Sequence, residues 1–153
     1  ILNHEDLITK RLPFSASGSL FRRDILEKVD GFDTNRDLEG TEDLDLYMKL
    51  YRIGIRPLQW SKTPHTLYRT NYGMTNNLKL HGAKLFQRIK GFHEKGWISN
   101  NSLKPANQEI WRQIARTEHK RGEFRDALKS YKKGKLTLSS IFLRLMAKSR
   151  IKI

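Results

Sequence analysis

The chain has 153 residues, 37% of them hydrophobic, and no cysteine; it is long enough for one domain with a core, and disulfide scaffolds, thiolate chemistry and zinc–thiolate sites are excluded. Its net charge of +14 is unevenly placed: residues 1–78 carry 11 Lys+Arg against 11 Asp+Glu, and residues 79–153 carry 19 against 5. Such a cationic second half calls for a polyanion, an anionic membrane surface or an acidic face elsewhere in the protein.

In chain order, "FSASGSLFRR" (residues 14–23) joins small residues to Leu20 and Phe21. It is expected to be an extended strand that another backbone or a ligand approaches closely at Gly18. "RDILEKVDG" reads as a short helix with Ile25, Leu26 and Val29 on one face and Gly31 as its stop. "FDTNRDLEG" is polar and turn-rich, hence a loop. Thr41 suits an N-cap, and Glu42 and Asp43 then fall in a first turn, where carboxylates complement the helix dipole and the dipole keeps Asp43 ionised. Leu46, Leu50 and Ile53 recur at i, i+4 and i+7, Tyr47 and Tyr51 widen the stripe, and Gly54 closes the helix. "IRPLQW" and "HTLYRT" are predicted as two short strands, the first an edge because of Pro57. A longer helix is predicted over residues 76–95, with Leu78, Leu85, Ile89 and Phe92 inward.

The remainder, residues 99–153, reads as a basic helical tail behind a first unit of residues 1–98. Within it, residues 105–134 form a helical hairpin hinged at Gly122, with Trp111, Ile114 and Ala115 lining one arm and Ala127, Leu128 and Tyr131 the other. The order Trp111, Ala115, Gly122, Ala127, Tyr131 resembles one tetratricopeptide unit, whose small residues let two antiparallel helices pack closely. A lone unit cannot bury its own face, so it is expected to dock on the first unit or on a neighbour. Residues 137–150 form an amphipathic helix, apolar at Leu138, Ile141, Phe142, Leu145 and Met146 and basic at Arg144, Lys148 and Arg150. Core packing is the commoner use of such a face, ahead of lying on a membrane.

Taken alone, Thr41-Glu42-Asp43 is a helix start. Its company changes that reading. "SGSLFRRDILEKVDGFD", "GTEDLDLYMKLYRIG" and "LYRTNYGMT" in that order resemble the acceptor half of the family 2 glycosyltransferases over roughly residues 14–76. The resemblance implies an α/β architecture, the C-terminal part of a GT-A nucleotide-sugar transferase fold, and an inverting transfer of a sugar from a nucleotide-sugar donor to a glycan or lipid-linked acceptor. Position by position it makes Asp43 the catalytic base, with Glu42, Ser17, Gly18 and Arg69 on the acceptor side. Glu42 either binds an acceptor hydroxyl or caps the helix, the cap being preferred. The family's Asp-x-Asp motif, which holds a divalent metal (Mn²⁺ or Mg²⁺) and the diphosphate, is expected upstream, in an N-terminal half outside this chain. The "DLD" of Asp43–Asp45 has that spelling at the wrong place. Asn71 stands where many members carry a histidine, which leaves His65 as a metal-ligand candidate against an ordinary strand histidine. The Gln-x-x-Arg-Trp motif of processive synthases is lacking, so the transferase is expected to be non-processive.

Two further classes compete with the enzyme. Arg112, Arg116 and Lys120 form a basic stripe that a nucleic acid would fit, although no nucleic-acid fold fingerprint accompanies it and this partner is not expected. A protein-interaction module built on the hairpin is the other. No apolar run approaches a membrane span, and no signal peptide is read before Glu5 and Asp6, so the protein is expected in the cytoplasm or peripheral at the inner membrane face. The chain starts at Ile1, which is read as a piece of a longer protein.

Overall fold

Helical periodicity governs the described residues (5–9, 16–56 and 77–153) of this computed structural model, and no strand occurs among them. Helix α1 spans Asp6–Thr9 and α2 spans Arg23–Lys28, ending where Asp30 and Gly31 both turn left-handed (φ 56° and 57°). Helix α3, Glu42–Arg52, buries Leu44 through Met48 together with Leu50 and Tyr51, so nearly its whole circumference lies in the core. It stops at Gly54, whose φ of 85° is open to glycine at little strain.

Helix α4, Leu78–Glu94, begins with the Asn77 side chain accepting from the Leu80 N–H at 3.1 Å. It sends Ile89 and Phe92 into the core, and Phe92 stacks on Trp97 with ring centroids 5.7 Å apart. Helix α5, Leu103–Arg121, packs along α4 through Ala106, Ile110 and Ile114, where Gly82 lets the two backbones approach. Gly122 at φ 80° turns the chain into α6, Phe124–Lys133, and Ala115, Ala127 and Tyr131 fill the hairpin seam. Helix α7, Leu138–Lys148, opens with a capping box in which Thr137 and Ser140 bond each other's backbone N–H.

The expected α/β architecture with a GT-A fold is not the one formed: the described residues make helices and turns. Of the strand expected over residues 14–23, Ala16–Gly18 is a 3₁₀ turn and Arg23 already begins α2. Small serines and a glycine offer little side chain to pack on a pleated surface, and no neighbouring strand among the described residues accepts their ladder bonds. The strands expected from "IRPLQW" and "HTLYRT" fall, apart from Ile55 and Arg56, outside the described residues. A second correction concerns α7. It buries Ser140 and Ala147 against the hairpin, while Leu138, Ile141, Phe142 and Leu145 are exposed.

The end of the tail is latched by His119, which is fully buried. Its Nε2 lies 2.6 Å from the Ile151 carbonyl and its Nδ1 3.1 Å from the Tyr131 hydroxyl. A carbonyl can only accept, so Nε2–H donates to Ile151, and Nδ1 shares the second bond with the Tyr131 hydroxyl. His119→Phe keeps the ring volume and orphans both partners, which is expected to cost about 1–3 kcal/mol. Amide exchange read residue by residue should quicken at the C-terminal end of α7, and unchanged protection there would dismiss the latch.

Candidate functional site

Two charged groups beneath the mouth of α3 do structural work. Asp45, 2% exposed, ion-pairs with Lys49 at 2.8 Å and with Arg88 at 3.5 Å. Arg88 also bonds Asp33 of the Gly31-Phe32-Asp33 turn, and its Nε donates to the Thr41 hydroxyl at 3.1 Å. Thr41 therefore does not cap α3 with its side chain: the hydroxyl donates to the Leu38 carbonyl at 2.6 Å and receives Arg88. The helix mouth is held by acids instead. Glu42 Oε2 accepts from the Gly40 N–H at 2.6 Å, and Asp43 Oδ1 accepts from the Leu44 N–H at 2.7 Å.

Asp43 differs from its neighbours. It is half-buried, and burial pushes its carboxyl above the ordinary 3.8, with the Leu44 N–H opposing, the charge of Glu42 adding and His81 opposing. The helix dipole was expected to keep this acid readily ionised; desolvation prevails. His81, in the first turns of α4, is drawn below its ordinary 6.5 by burial, against the pull of Asp43 and Glu42. The two groups thus sense each other's charge, and burial brings their proton affinities closer together than in free side chains. Tyr47, one turn after Asp43, has its phenol raised by burial and lies 3.5 Å from the Ser19 hydroxyl.

A cleft of about 200 Å³ opens at His81 and is lined, among the described residues, by Glu39, Leu80, His81 and Lys84. That is below the ~300–1,000 Å³ of most small-ligand pockets.

Of the residues singled out from sequence, Asp43 and Glu42 sit together on the first turn of α3. Ser17 and Gly18 lie exposed in the 3₁₀ turn, and their neighbour Ser19 lies 3.5 Å from the Tyr47 hydroxyl of α3. Arg69 and His65 lie outside the described residues. No group of three or more His, Asp or Glu side chains suited to a metal is present among the described residues, and Asp45 is engaged by Arg88 and Lys49. His81 was missed. Its signal was present: it falls three residues after Leu78 and four before Leu85, on the face expected to point inward.

The raised carboxyl has a consequence for stability. A group that binds its proton more tightly when folded contributes stability below its unfolded value and loses it as pH rises through the folded one. Asp43→Asn removes the buried charge and keeps an acceptor for the Leu44 N–H. It is expected to melt above wild type at pH 7, the gap closing below pH 3.8, the ordinary carboxyl value. Calorimetry at pH 7 and pH 3 checks this; an Asn variant less stable at pH 7 would mean the carboxylate is favourably held.

Compared with known proteins, the chain matches no family model, no curated protein and no solved structure. No helix among the described residues is long and apolar enough to cross a membrane.

Proposed function

We propose that the chain supplies the catalytic base and acceptor side of an inverting, non-processive glycosyltransferase, working in the cytoplasm on a glycan or lipid-linked acceptor. The observation that carries this is Asp43: a half-buried carboxyl of raised proton affinity on the first turn of α3, whose charge is felt by His81, a residue that lines the cleft. A sugar hydroxyl is a weak nucleophile. A carboxylate within about 3 Å of it takes its proton as the oxygen bonds the anomeric carbon and the nucleoside diphosphate leaves. Position on the first turn of a buried helix fixes the direction of attack, and desolvation raises the base's strength. Lys84 and Glu39 offer a donor and an acceptor for the acceptor sugar's other hydroxyls. The ordered motifs of residues 14–76, with Ser17, Gly18 and Arg69 on the acceptor side, support the same reading without the sheet first expected. Glu42, held by the Gly40 N–H, shapes the helix mouth. The resemblance puts the ligands of a divalent metal, which would supply charge neutralisation at the diphosphate, outside this chain.

The test is transfer itself. Intact protein is offered UDP-, GDP- and dTDP-linked sugars with Mn²⁺ or Mg²⁺ and a lipid-linked oligosaccharide extract, and nucleoside diphosphate release is followed. Release that requires the acceptor is expected with one donor. No release above the uncatalysed rate with any donor would remove the reading.

A further inference from the structure

Helix α7 is amphipathic in an inverted sense: its small and polar residues face the protein and its bulky apolar ones face out. Leu138 is 88% exposed, Phe142 61%, Leu145 59% and Ile141 42%. Their spacing at i, i+3, i+4 and i+7 puts all four on one stripe, opposite Ser140 and Ala147. Burial of the opposite side leaves no route by which the stripe could turn inward without breaking the Thr137–Ser140 cap and the Arg144 bond to the Tyr131 carbonyl.

Charge selects the occupant. Residues 127–153 hold eight Lys and Arg and no Asp or Glu. Lys135 precedes the stripe, and Lys148, Arg150 and Lys152 follow it, all exposed. A second copy of the chain seated on this face would bring cations onto cations. An apolar stripe between cations matches instead a surface with anionic groups outside and hydrocarbon within.

We propose that α7 lies in the plane of an anionic lipid bilayer, with Leu138, Ile141, Phe142 and Leu145 below the headgroups and Lys135, Lys148 and Arg150 among them. The helix is about 16 Å long at 1.5 Å per residue, which suits a shallow in-plane seat and no span. This attachment stands apart from the sugar-transfer reading, because none of its residues borders Asp43.

The full chain is sedimented with vesicles of neutral phosphatidylcholine, and with the same vesicles carrying 30 mol% phosphatidylserine. Each cation near an anionic surface is worth about fivefold in partitioning, so at least a roughly tenfold preference for the anionic vesicles is expected. It should fall in high salt and with Phe142→Asp, while Phe142→Ser, a gentler change, should weaken it less. Both variants alter an exposed side chain, and circular dichroism checks that they remain folded. Equal partitioning into both vesicles would overturn the proposal, as would pelleting that both folded variants leave unchanged. Self-association abolished by Phe142→Asp without lipid binding would overturn it in favour of a second copy.

Discussion

Asp43→Asn is expected to lower kcat for sugar transfer by about 10²–10⁴-fold while leaving donor affinity nearly unchanged. Asparagine is close to isosteric and its oxygen can still accept the Leu44 N–H that holds the aspartate at 2.7 Å. What it cannot do is accept the acceptor's proton. The loss therefore falls on the chemical step, and ground-state binding is spared. Because the same change relieves a buried charge, the variant should be inactive and yet no less stable at neutral pH. That combination separates a lost base from a damaged fold. Product formation and donor titration on the same preparation check it, and a variant keeping more than about half of kcat would end the catalytic role of Asp43.

Arg88→Ala is expected to lower stability by about 3–5 kcal/mol, the range for removing one partner of a buried ion pair. The arginine side chain is 7% exposed and Asp45 is 2% exposed, so solvent cannot replace the lost guanidinium. Asp33 loses a partner too. The Asn35 N–H and Arg88 hold its carboxyl below 3.8, a contribution present above the unfolded value and lost as pH falls through the lowered one. The Arg88 contact also orders Thr41, whose hydroxyl bonds the Leu38 carbonyl just before α3. The expected fall in Tm is on the order of 10 °C for a chain of this size. Asp45→Asn placed on Arg88→Ala should recover part of it, since the stranded charge is then gone. A loss below about 1 kcal/mol would show that the network adds little.

Local chemistry was legible where one stretch of chain decides it. Leu46, Leu50 and Gly54 identify α3 and its stop, and Ile89 and Phe92 give the inward face of α4. Gly122 marks the hinge between α5 and α6 for the same reason, a left-handed turn that glycine adopts freely. Tertiary choices were not legible. Residues 14–23 look extended only if a sheet is present to receive them, and Ala16–Gly18 coils into a turn. The stripe of α7 has the spacing of a core face, but nothing in residues 137–150 says which side the hairpin will cover. Thr41 has the chemistry of a cap, and Arg88, 47 residues away, takes its hydroxyl. In the same way Asp43 was legible as a first-turn acid, while its desolvation depends on the folded surroundings and the charge it shares with His81 depends on α4.

The initial rate of sugar transfer as a function of pH, for wild type and Asp43→Asn side by side, tests most directly whether Asp43 is the base. Only the ionised carboxylate accepts a proton, so the wild-type rate should rise with pH through a midpoint above 3.8, and that limb should vanish in the variant. A limb of the same midpoint and height in Asp43→Asn would assign the base to another group and contradict the role given to Asp43.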